Sequence, residues 1–292
     1  MKKKQLNLTS GPILRTLSEL ALPIMASSFL STAYNITDMA WIGMLGSKAV
    51  AGVGVGGMYV WLSQGLSSLA RMGGQVNMAH SLGRGDQKAA AGFAQAALQL
   101  TILFSLFVTL ISMLFTNPLL QFFALNDAET YNSARIYMRI TCGLILFSFL
   151  SQVLTGLFTA QGDSKTPLKA NFFGLILNMI LDPLLVLGVG PFPRLEVVGA
   201  AIATVLAQII AFVICWIYMI RKYEILRLQK EEFKDPSPIM VKEMISAGMS
   251  MGFMSSLVNI GTLTLQTAIN KLGKDIIIAH TAARKITEIF MI

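Results

Sequence analysis

The chain has 292 residues, of which 54% are hydrophobic and only 13% are charged, and its mean hydropathy is +0.64. Soluble domains carry about 25% charged residues, so this composition excludes an ordinary soluble domain and indicates a membrane protein. The net charge of +8 would suggest nucleic-acid binding in a soluble protein. Here the basic residues follow a pattern of membrane orientation, so we predict no nucleic-acid partner.

Long apolar runs divide the chain into seven complete predicted spans and the beginning of an eighth. Each run is long enough for the roughly 20 residues that cross a bilayer as a helix. The sequence therefore predicts an all-α, polytopic membrane protein. The spans cover residues 20–43, 53–80, 89–116, 133–158, 168–189, 197–220 and 243–270, and the eighth begins near Ile276.

The distribution of lysine and arginine predicts the orientation of these spans. With the amino terminus inside, fourteen basic residues fall in the inner segments and only four to six in the outer segments. Inner segments of membrane proteins carry an excess of basic residues, where they meet anionic lipid. We therefore predict a multi-pass protein of the cell membrane with a cytoplasmic amino terminus.

A weak internal repeat predicts how the spans are grouped. A Leu-Gly pair follows the first span at 45–46 and the seventh span at 272–273, an offset of 227 residues. An even number of spans in each repeat gives both halves the same orientation, as in some transporters. Two complete repeats need more residues than this chain has, so we expect a fragment of a two-lobed protein. The predicted parts are a complete six-helix N-terminal lobe (1–220), a cytoplasmic linker (221–242) and the first one to two helices of an incomplete C-terminal lobe (243–292).

Two acidic residues interrupt the apolar spans, and their depth brings them together. A charge in hydrocarbon costs about 2.5–3.5 kcal/mol, so such residues face a protein interior or a watery cavity. At 1.5 Å per residue, Asp182 lies roughly 21 Å and Asp38 roughly 27 Å from the inner ends of their spans. Thr204, whose span enters from the outside, lies roughly 20 Å from the inner face of the membrane core. Asn178 and Tyr34 each precede one of the acids by four residues, on the same helix face.

This set of oxygen atoms predicts a coupling site for a monovalent cation or a proton. Pro183 has no N–H group, which leaves the carbonyl group of Met179 as a further oxygen ligand or a hinge. Carboxylate, amide and hydroxyl oxygens suit a hard cation, and a carboxylate can also take up a proton. Na+ is a candidate ligand at Asp182, Asn178 and Asp38, and no other cofactor is predicted. The alternative is that Asp182 only bonds to a neighbouring helix for packing.

Three further features have structural interpretations. Arg71 lies about 27 Å from the outer start of its span, so we predict that it reaches the inner headgroups as an anchor. Gly52 and Gly56 resemble part of a nucleotide loop, but no strand precedes them, so we predict close helix packing. The Arg-Gly-Asp sequence at 84–86 is predicted to form a tight turn between helices.

The seventh span offers a second candidate surface. Its methionines, Met251 and Met254, are typical of adaptable packing, and they are also candidates for the lining of a substrate cavity. Asn259 and Gln266 are the strong polar groups of the same span and belong to this candidate surface.

The residues placed above resemble the multidrug and toxic compound extrusion (MATE) transporters over essentially the whole chain. The resemblance implies two six-helix lobes around a central cavity, alternating access, and export of amphiphilic, often cationic, compounds in exchange for Na+ or H+. It implies a monomer in the full-length protein, with small amphiphilic molecules and membrane lipid as its partners. It rests on the segments LALPIMASSFLSTAYNITDMAWIG (20–43), SLGRGD (81–86), AQGDSKTP (160–167), NMILDPLL (178–185) and VVGAAIATVLAQ (197–208).

The resemblance also assigns the cation site. It implies that Asp38, Asn178, Asp182 and Thr204, with Tyr34 close by, form the cation site of the first lobe. Some members of the family carry an essential glutamate in the seventh span, which this sequence lacks, so we expect coupling to rest on the first lobe.

Two other functions are compatible with parts of the pattern. A lipid-linked saccharide flippase shares the general architecture but typically has more cationic residues in its cavity. An intramembrane aspartyl protease uses two aspartates as a dyad. Neither acid here lies in the Gly-x-Gly-Asp loop of those proteases, so we predict a protein that is not an enzyme.

Overall fold

A computed structural model describes residues 13–123, 125, 127–222, 238–250 and 253–254. Within these ranges every regular element is a helix, in agreement with the predicted all-α class. The helices are α1 (Ile13–Gly43), α2 (Ser47–Gly83), α3 (Gln87–Leu114), α4 (Thr116–Gln121), α5 (Ala128–Gly143), α6 (Ile145–Ala160), α7 (Lys165–Val186), α8 (Val197–Lys222) and α9 (238–250).

Six predicted spans correspond to α1, α2, α3, the α5–α6 pair, α7 and α8. By length and apolar composition alone, α3, α7 and α8 qualify as membrane spans among the described residues, and the bent α5–α6 pair is a fourth if it counts as one span. The helices α1 and α2 have 31 and 37 residues, so both are long enough to cross a bilayer. The predicted polytopic all-α membrane fold is therefore confirmed.

The fourth predicted span, 133–158, differs from the prediction because it is two helices. The axes of α5 and α6 differ by 50°, with the break at Leu144. A bend removes helix hydrogen bonds, and here the hydroxyl group of Thr109 on α3 donates to the carbonyl oxygen of Cys142 at 3.0 Å. The freed backbone group thus has a partner from the neighbouring helix, which is how bent helices are tolerated in membranes.

Glycines bring α2 and α5 into close contact. A Cβ atom on Gly52 would lie 2.8 Å from the carbonyl oxygen of Thr130, and one on Gly56 would lie 2.8 Å from that of Ala134. Only a residue without a side chain allows this approach of two backbones. The prediction that Gly52 and Gly56 serve helix packing is confirmed.

The helices α7 and α8 meet in the same way. A Cβ atom on Gly199 would lie 2.4 Å from the carbonyl oxygen of Leu185, and one on Gly174 would lie 3.1 Å from that of Ala207. The backbone N–H group of Leu195 also donates to the Leu185 carbonyl at 2.8 Å, which closes the loop between the two helices. These contacts fix the C-terminal half of α7 against α8.

The bundle has two ends, defined here by their turns. The α1–α2 end contains the turn at 44–46, the start of α5 and the loop at 187–196. At this end Lys48 lies 3.1 Å from the Asp127 carboxylate and 3.0 Å from the Glu129 carboxylate. The backbone N–H group of Thr130 and the Lys48 ammonium hold the pKa of Asp127 at about 2, below its ordinary value, and Asp127 caps α5.

The α2–α3 end contains the turn at 84–86 and the turn at 161–164. Gly85 has a φ angle of +78°, and the Asp86 side chain accepts a hydrogen bond from Ala89 at the start of α3. The predicted tight turn at 84–86 is confirmed. Helix α9 packs nearby, because a Cβ atom on Gly73 would lie 2.3 Å from the carbonyl oxygen of Met244.

The outer faces of the helices are apolar. Exposed leucine and phenylalanine side chains recur at helical spacing along α3 and α7, whereas the side chains between helices are small or tightly packed. Continuous exposed apolar faces of this kind are typical of helices that contact lipid. The exposed set includes Leu103, Leu106, Phe107, Leu110 and Leu114 on α3 and Phe172, Phe173, Ile176 and Ile180 on α7.

The predicted start of the second lobe lies mostly outside the described residues. Helix α9 agrees with the predicted start of the seventh span at 243, and 253–254 are also helical. The linker residues 223–237 and the Leu-Gly pair at 272–273 lie outside the described residues, so the domain boundaries and the repeat stay predictions.

Candidate functional site

Three helices bring polar side chains together near the α1–α2 end of the bundle. Tyr34 and Asp38 lie on α1, Asn178 and Asp182 on α7, and Thr204 on α8. The close approach of α8 to α7 carries Thr204 toward the two polar residues of α7. The structure thus places all five residues of the predicted coupling site in one region, which we call the acid cluster.

Asp182 and Asn178 form the interior part of the acid cluster. Both side chains have no exposed surface. The amide nitrogen of Asn178 donates to Oδ1 of Asp182 at 3.2 Å, one turn along the same helix. Oδ2 of Asp182 and Oδ1 of Asn178 are buried and accept no hydrogen bond from any described residue.

Asp38 connects this interior part to open space. Its carboxylate is close enough to Asp182 for an electrostatic interaction between them, and it is 8% exposed. Oδ1 of Asp38 is buried without a hydrogen-bond partner, whereas the side chain as a whole lines a large cavity. An ion that reaches Asp38 from the cavity is therefore next to the second carboxylate.

Two tyrosines and a threonine complete the acid cluster. Tyr34 and Tyr137 each interact with Thr204 and with the two carboxylates. The hydroxyl groups of Tyr34 and Thr204 are buried, and within the described ranges neither makes a hydrogen bond of ordinary geometry. The hydroxyl groups of Tyr34 and Thr204 therefore approach each other closely without forming a hydrogen bond.

Tyr137 is a member of the acid cluster that sequence reasoning missed. It lies on α5, is 8% exposed and lines the cavity beside Asp38. The sequence signal that could have found it is depth, because Tyr137 lies one turn from the predicted outer start of the fourth span at 133. An aromatic residue in an apolar span is ordinary, so only its depth sets it apart.

The shared property of the five predicted residues is an unpartnered buried polar atom. Most buried polar groups in proteins have a hydrogen-bond partner, and a buried acceptor without one costs about 1–3 kcal/mol. Such a concentration of free oxygen atoms is suited to binding a cation or a proton. The atoms are Tyr34 Oη, Asp38 Oδ1, Asn178 Oδ1, Asp182 Oδ2 and Thr204 Oγ1.

The cavity beside the acid cluster has a volume of about 1040 Å³. Its walls come from five spans, α1, α2, the α5–α6 pair, α7 and α8, and combine apolar groups with hydroxyl and amide groups. Among the lining residues of the described chain, Asp38 and Arg71 are the two that carry a formal charge.

The position of Arg71 corrects the prediction made for it. Arg71 lines the cavity and its Nε atom is buried, so the predicted anchor in the inner headgroups is wrong. Depth along a helix does not reveal which face a side chain occupies, and here that face is turned toward α6. The cavity therefore contains a cation that the sequence alone had placed in lipid.

The candidate substrate surface on the seventh span stays a prediction. Met254 is 59% exposed and does not line this cavity. Met251, Asn259 and Gln266 lie outside the described residues.

The fold and the site define a class, a polytopic helical membrane protein with an acid cluster beside a central cavity. The profile of the family described as MatE matches residues 23–184, which is more than half of the chain. The chain belongs to the MatE family of multidrug and toxic compound extrusion proteins. The matched segment includes four of the five predicted site residues.

Two curated relatives and a solved structure illustrate the similarity. The "Probable multidrug resistance protein NorM" of Thermotoga maritima is 28% identical over 92% of this chain and 57% of its own length. The "FAD transporter" of Shewanella oneidensis is 29% identical over 77% of this chain and 49% of its own length. A solved "outward-facing conformation of a multidrug resistance MATE family transporter" has a TM-score of 0.86 and 22% identity, over 99% of this chain and 63% of its own.

The coverage, the sequence identity and the names of these relatives decide what each comparison supports. The chain spans less than two thirds of the length of these relatives. At 22% identity the solved structure supports the fold alone. The relatives are named as transport or resistance proteins rather than enzymes, which agrees with the prediction of a protein that is not an enzyme.

Proposed function

We propose that the full-length protein is a secondary active antiporter that exports amphiphilic, cationic drugs or toxic compounds in exchange for Na+ or H+. The observation that supports this proposal is the acid cluster, in which two carboxylates with unpartnered oxygen atoms lie beside a cavity of about 1040 Å³. A cluster of this kind can bind a cation, and the cavity can hold a small organic molecule.

Asp38 and Asp182 are the groups that would bind the coupling ion. Two neighbouring carboxylates repel each other when both are charged, and a Na+ ion or a proton between them removes that repulsion. Asn178 would supply an amide oxygen, and Thr204 with the tyrosines would supply hydroxyl oxygens. Oxygen ligands of this type are preferred by hard cations.

Ion binding can change the shape of the cavity because the two acids lie on different helices. Asp38 is on α1, which lines the cavity from residue 24 to residue 39, and Asp182 is on α7. The free energy of ion binding depends on the distance between α1 and α7, so the ion favours one arrangement of these helices over the other. A substrate that binds better to the second arrangement then exchanges with the ion.

The cavity suits an amphiphilic molecule. Its volume is at the upper end of small-molecule sites, which are about 300–1,000 Å³. Hydroxyl groups such as Ser27, Ser28 and Ser31 alternate with apolar groups such as Trp61 and Leu175 along its wall. Such a surface binds molecules with apolar rings and dispersed polar groups without demanding one shape.

We further propose the cellular setting of this activity. The full-length protein would act as a monomer in the cell membrane with a cytoplasmic amino terminus, and its partners would be the substrate and lipid. A lipid-linked saccharide flippase is the alternative. Arg71 is the single cationic side chain in the described lining, which favours drug export over that alternative.

The decisive test is Asp182→Asn in the full-length protein. Cells or proteoliposomes would be loaded with a cationic dye, and export would be measured with the Na+ gradient and the H+ gradient collapsed separately. We expect wild type to export only while one gradient exists and Asp182→Asn to lose at least tenfold in rate. The matched control is Glu129→Gln, an exposed acid at the α1–α2 end, which should export as wild type does. Normal export by Asp182→Asn at equal expression would disprove the coupling role.

A further inference from the structure

We propose that Arg71, with the glutamine side chains on the same part of the cavity wall, forms a subsite for the anionic group of a zwitterionic substrate, a carboxylate or phosphate on an amphiphile that also carries a cationic group. This inference rests on the proposed function, because it describes the substrate class that the same cavity accepts. The proposed subsite lies at the opposite end of the cavity from the acid cluster.

Arg71 faces the cavity without a partner among the residues that the structure describes. Its Nε atom is buried, and no hydrogen bond or ion pair joins Arg71 to another residue in the described part of the chain. A guanidinium group removed from water without a partner is costly, since a buried charge is normally paired and hydrogen-bonded. A cavity-facing guanidinium is satisfied when a ligand brings an oxyanion to it.

Packing fixes the position of Arg71. A Cβ atom on Gly156 would lie 2.8 Å from Cγ of Arg71 and 3.2 Å from the side-chain oxygen of Gln75. The aliphatic part of Arg71 therefore lies in a space that exists only because α6 has a glycine there. This contact directs the guanidinium along the cavity wall between α2 and α6.

Polar side chains of α2 and α6 line the same part of the cavity wall as Arg71. Gln64 lies seven residues before Arg71, hence on nearly the same face of α2, and the amide of Gln152 on α6 donates to its side-chain oxygen. Both glutamines line the cavity, together with Thr155. The amide N–H groups of these glutamines can donate to the remaining oxygen atoms of a carboxylate or phosphate, whereas the Thr155 hydroxyl group already donates to the carbonyl oxygen of Ser151.

The opposite charges of Asp38 and Arg71 lie far apart within one cavity. Gly57 lies beside Tyr137 of the acid cluster, since its Cβ atom would be 3.8 Å from that ring. Arg71 follows Gly57 by fourteen residues, which is about 21 Å along α2. An anionic group at Arg71 is therefore distant from the carboxylates, and a cation at the acid cluster does not compete for the same place.

The test uses two dyes that differ in one group. Rhodamine 110 carries a free carboxylate, and rhodamine 123 is its methyl ester. Equilibrium binding of each dye to the purified full-length protein in detergent would be measured by fluorescence anisotropy. We expect Arg71→Gln to weaken the binding of rhodamine 110 about tenfold and to change that of rhodamine 123 less than twofold. Arg71→Lys should retain part of the difference.

Controls separate this subsite from folding and from lipid. Arg194→Gln, which removes an exposed arginine at the α1–α2 end, should leave both affinities unchanged, and the thermal melting of each variant verifies folding. Equal weakening of both dyes, or no weakening of either, would overturn the proposal. Displacement of rhodamine 110 by phosphatidylglycerol but not by phosphatidylcholine would also overturn it, since the occupant would then be a lipid headgroup.

The same measurement keeps the two proposals distinguishable. Binding in detergent needs no gradient, so an Arg71-dependent preference for rhodamine 110 supports the anionic subsite even where gradient-driven export fails. Gradient-driven export of rhodamine 123 that is unaffected by Arg71→Gln, without any such preference in binding, supports the antiporter and rejects the subsite.

Discussion

At the scale of single residues, the acid cluster depends on neutral groups as much as on its two acids. Two carboxylates alone would repel each other, and among the described residues no three His, Cys, Asp or Glu side chains converge as in a multi-carboxylate metal site. Hydroxyl and amide groups supply the other oxygen atoms, from Asn178, Thr204, Tyr34 and Tyr137. In the proposed ion site, we expect few charges and several neutral oxygen atoms to favour a monovalent ion over a divalent one.

Tyr137 provides a test of these neutral groups. Tyr137→Phe removes one hydroxyl group beside Thr204 and keeps the ring that packs against α2. We expect the concentration of coupling ion that gives half-maximal export to rise about fivefold, because one hydrogen bond or ligand contributes about 1 kcal/mol. The measurement is dye export by the full-length protein as a function of Na+ concentration or pH.

The control for this variant is Tyr218→Phe. Tyr218 on α8 is 40% exposed and does not line the cavity. Its loss of a hydroxyl group should leave the ion dependence unchanged. An unchanged dependence for Tyr137→Phe as well would remove Tyr137 from the ion site.

Residue identity predicted part of the site and missed the rest for physical reasons. Asp38 and Asp182 could be found because a charge in an apolar run is costly wherever it points. A tyrosine in an apolar span has no comparable free-energy cost, so the residue type of Tyr137 did not indicate a functional role. Arg71 was found but misplaced, because its long side chain can reach either headgroups or a cavity, and packing against Gly156 decides between them.

At the scale of helices, the acid cluster depends on how closely α8 approaches α7. Gly199 of α8 packs directly against the backbone of Leu185 on α7. Leu185 lies one helical turn after Asp182. The atoms that a side chain would strike are backbone atoms, which cannot rotate away. The position of Thr204 relative to Asp182 is therefore tied to the absence of a side chain at 199.

Gly199→Ala tests this contact. The added Cβ atom would lie 2.4 Å from the Leu185 carbonyl oxygen, so α7 and α8 must separate. We expect a destabilisation of about 1–3 kcal/mol, as for other overpacked contacts, together with weaker ion coupling. Thermal melting in detergent and ion-dependent export would be measured on the same preparation.

A second glycine in a helix supplies the matched control. Gly65 lies within α2, and a Cβ atom there meets nothing within 4 Å. Gly65→Ala should be neutral or stabilising by up to about 1 kcal/mol, since alanine is the better helix former. Equal melting temperatures for Gly199→Ala and wild type would show that α7 and α8 can separate without cost.

Helix number was more predictable than helix shape. Apolar runs set the number, because a bilayer requires about 20 apolar residues for each crossing. The 50° bend between α5 and α6 was not predicted from the run 133–158, in which two arginines precede Leu144 and an apolar stretch follows it. The bend depends on Thr109 of another helix, so a tertiary contact, not local sequence, allows it.

At the scale of the whole molecule, charge and apolar surface give complementary information. The exposed leucine and phenylalanine side chains of α3 and α7 define faces that meet lipid, but they do not indicate which end of the bundle is inside. The predicted orientation comes from the basic residues alone. It has a consequence for function, because it places the acid cluster in the outer half of the membrane and Arg71 in the inner half.

Single-cysteine labelling tests this orientation. The background is favourable because Cys142 and Cys215 are both buried and free, and both can be replaced by serine or alanine. Ser47→Cys then marks the α1–α2 end and Gln87→Cys marks the α2–α3 end, each at an exposed position. We expect a membrane-impermeant maleimide to label position 47 in intact cells and position 87 only after permeabilisation, because the turn near Gln87 carries the basic residues Arg84 and Lys88. Labelling of position 87 alone in intact cells would reverse the orientation, and the acid cluster would then face the cytoplasmic half of the membrane.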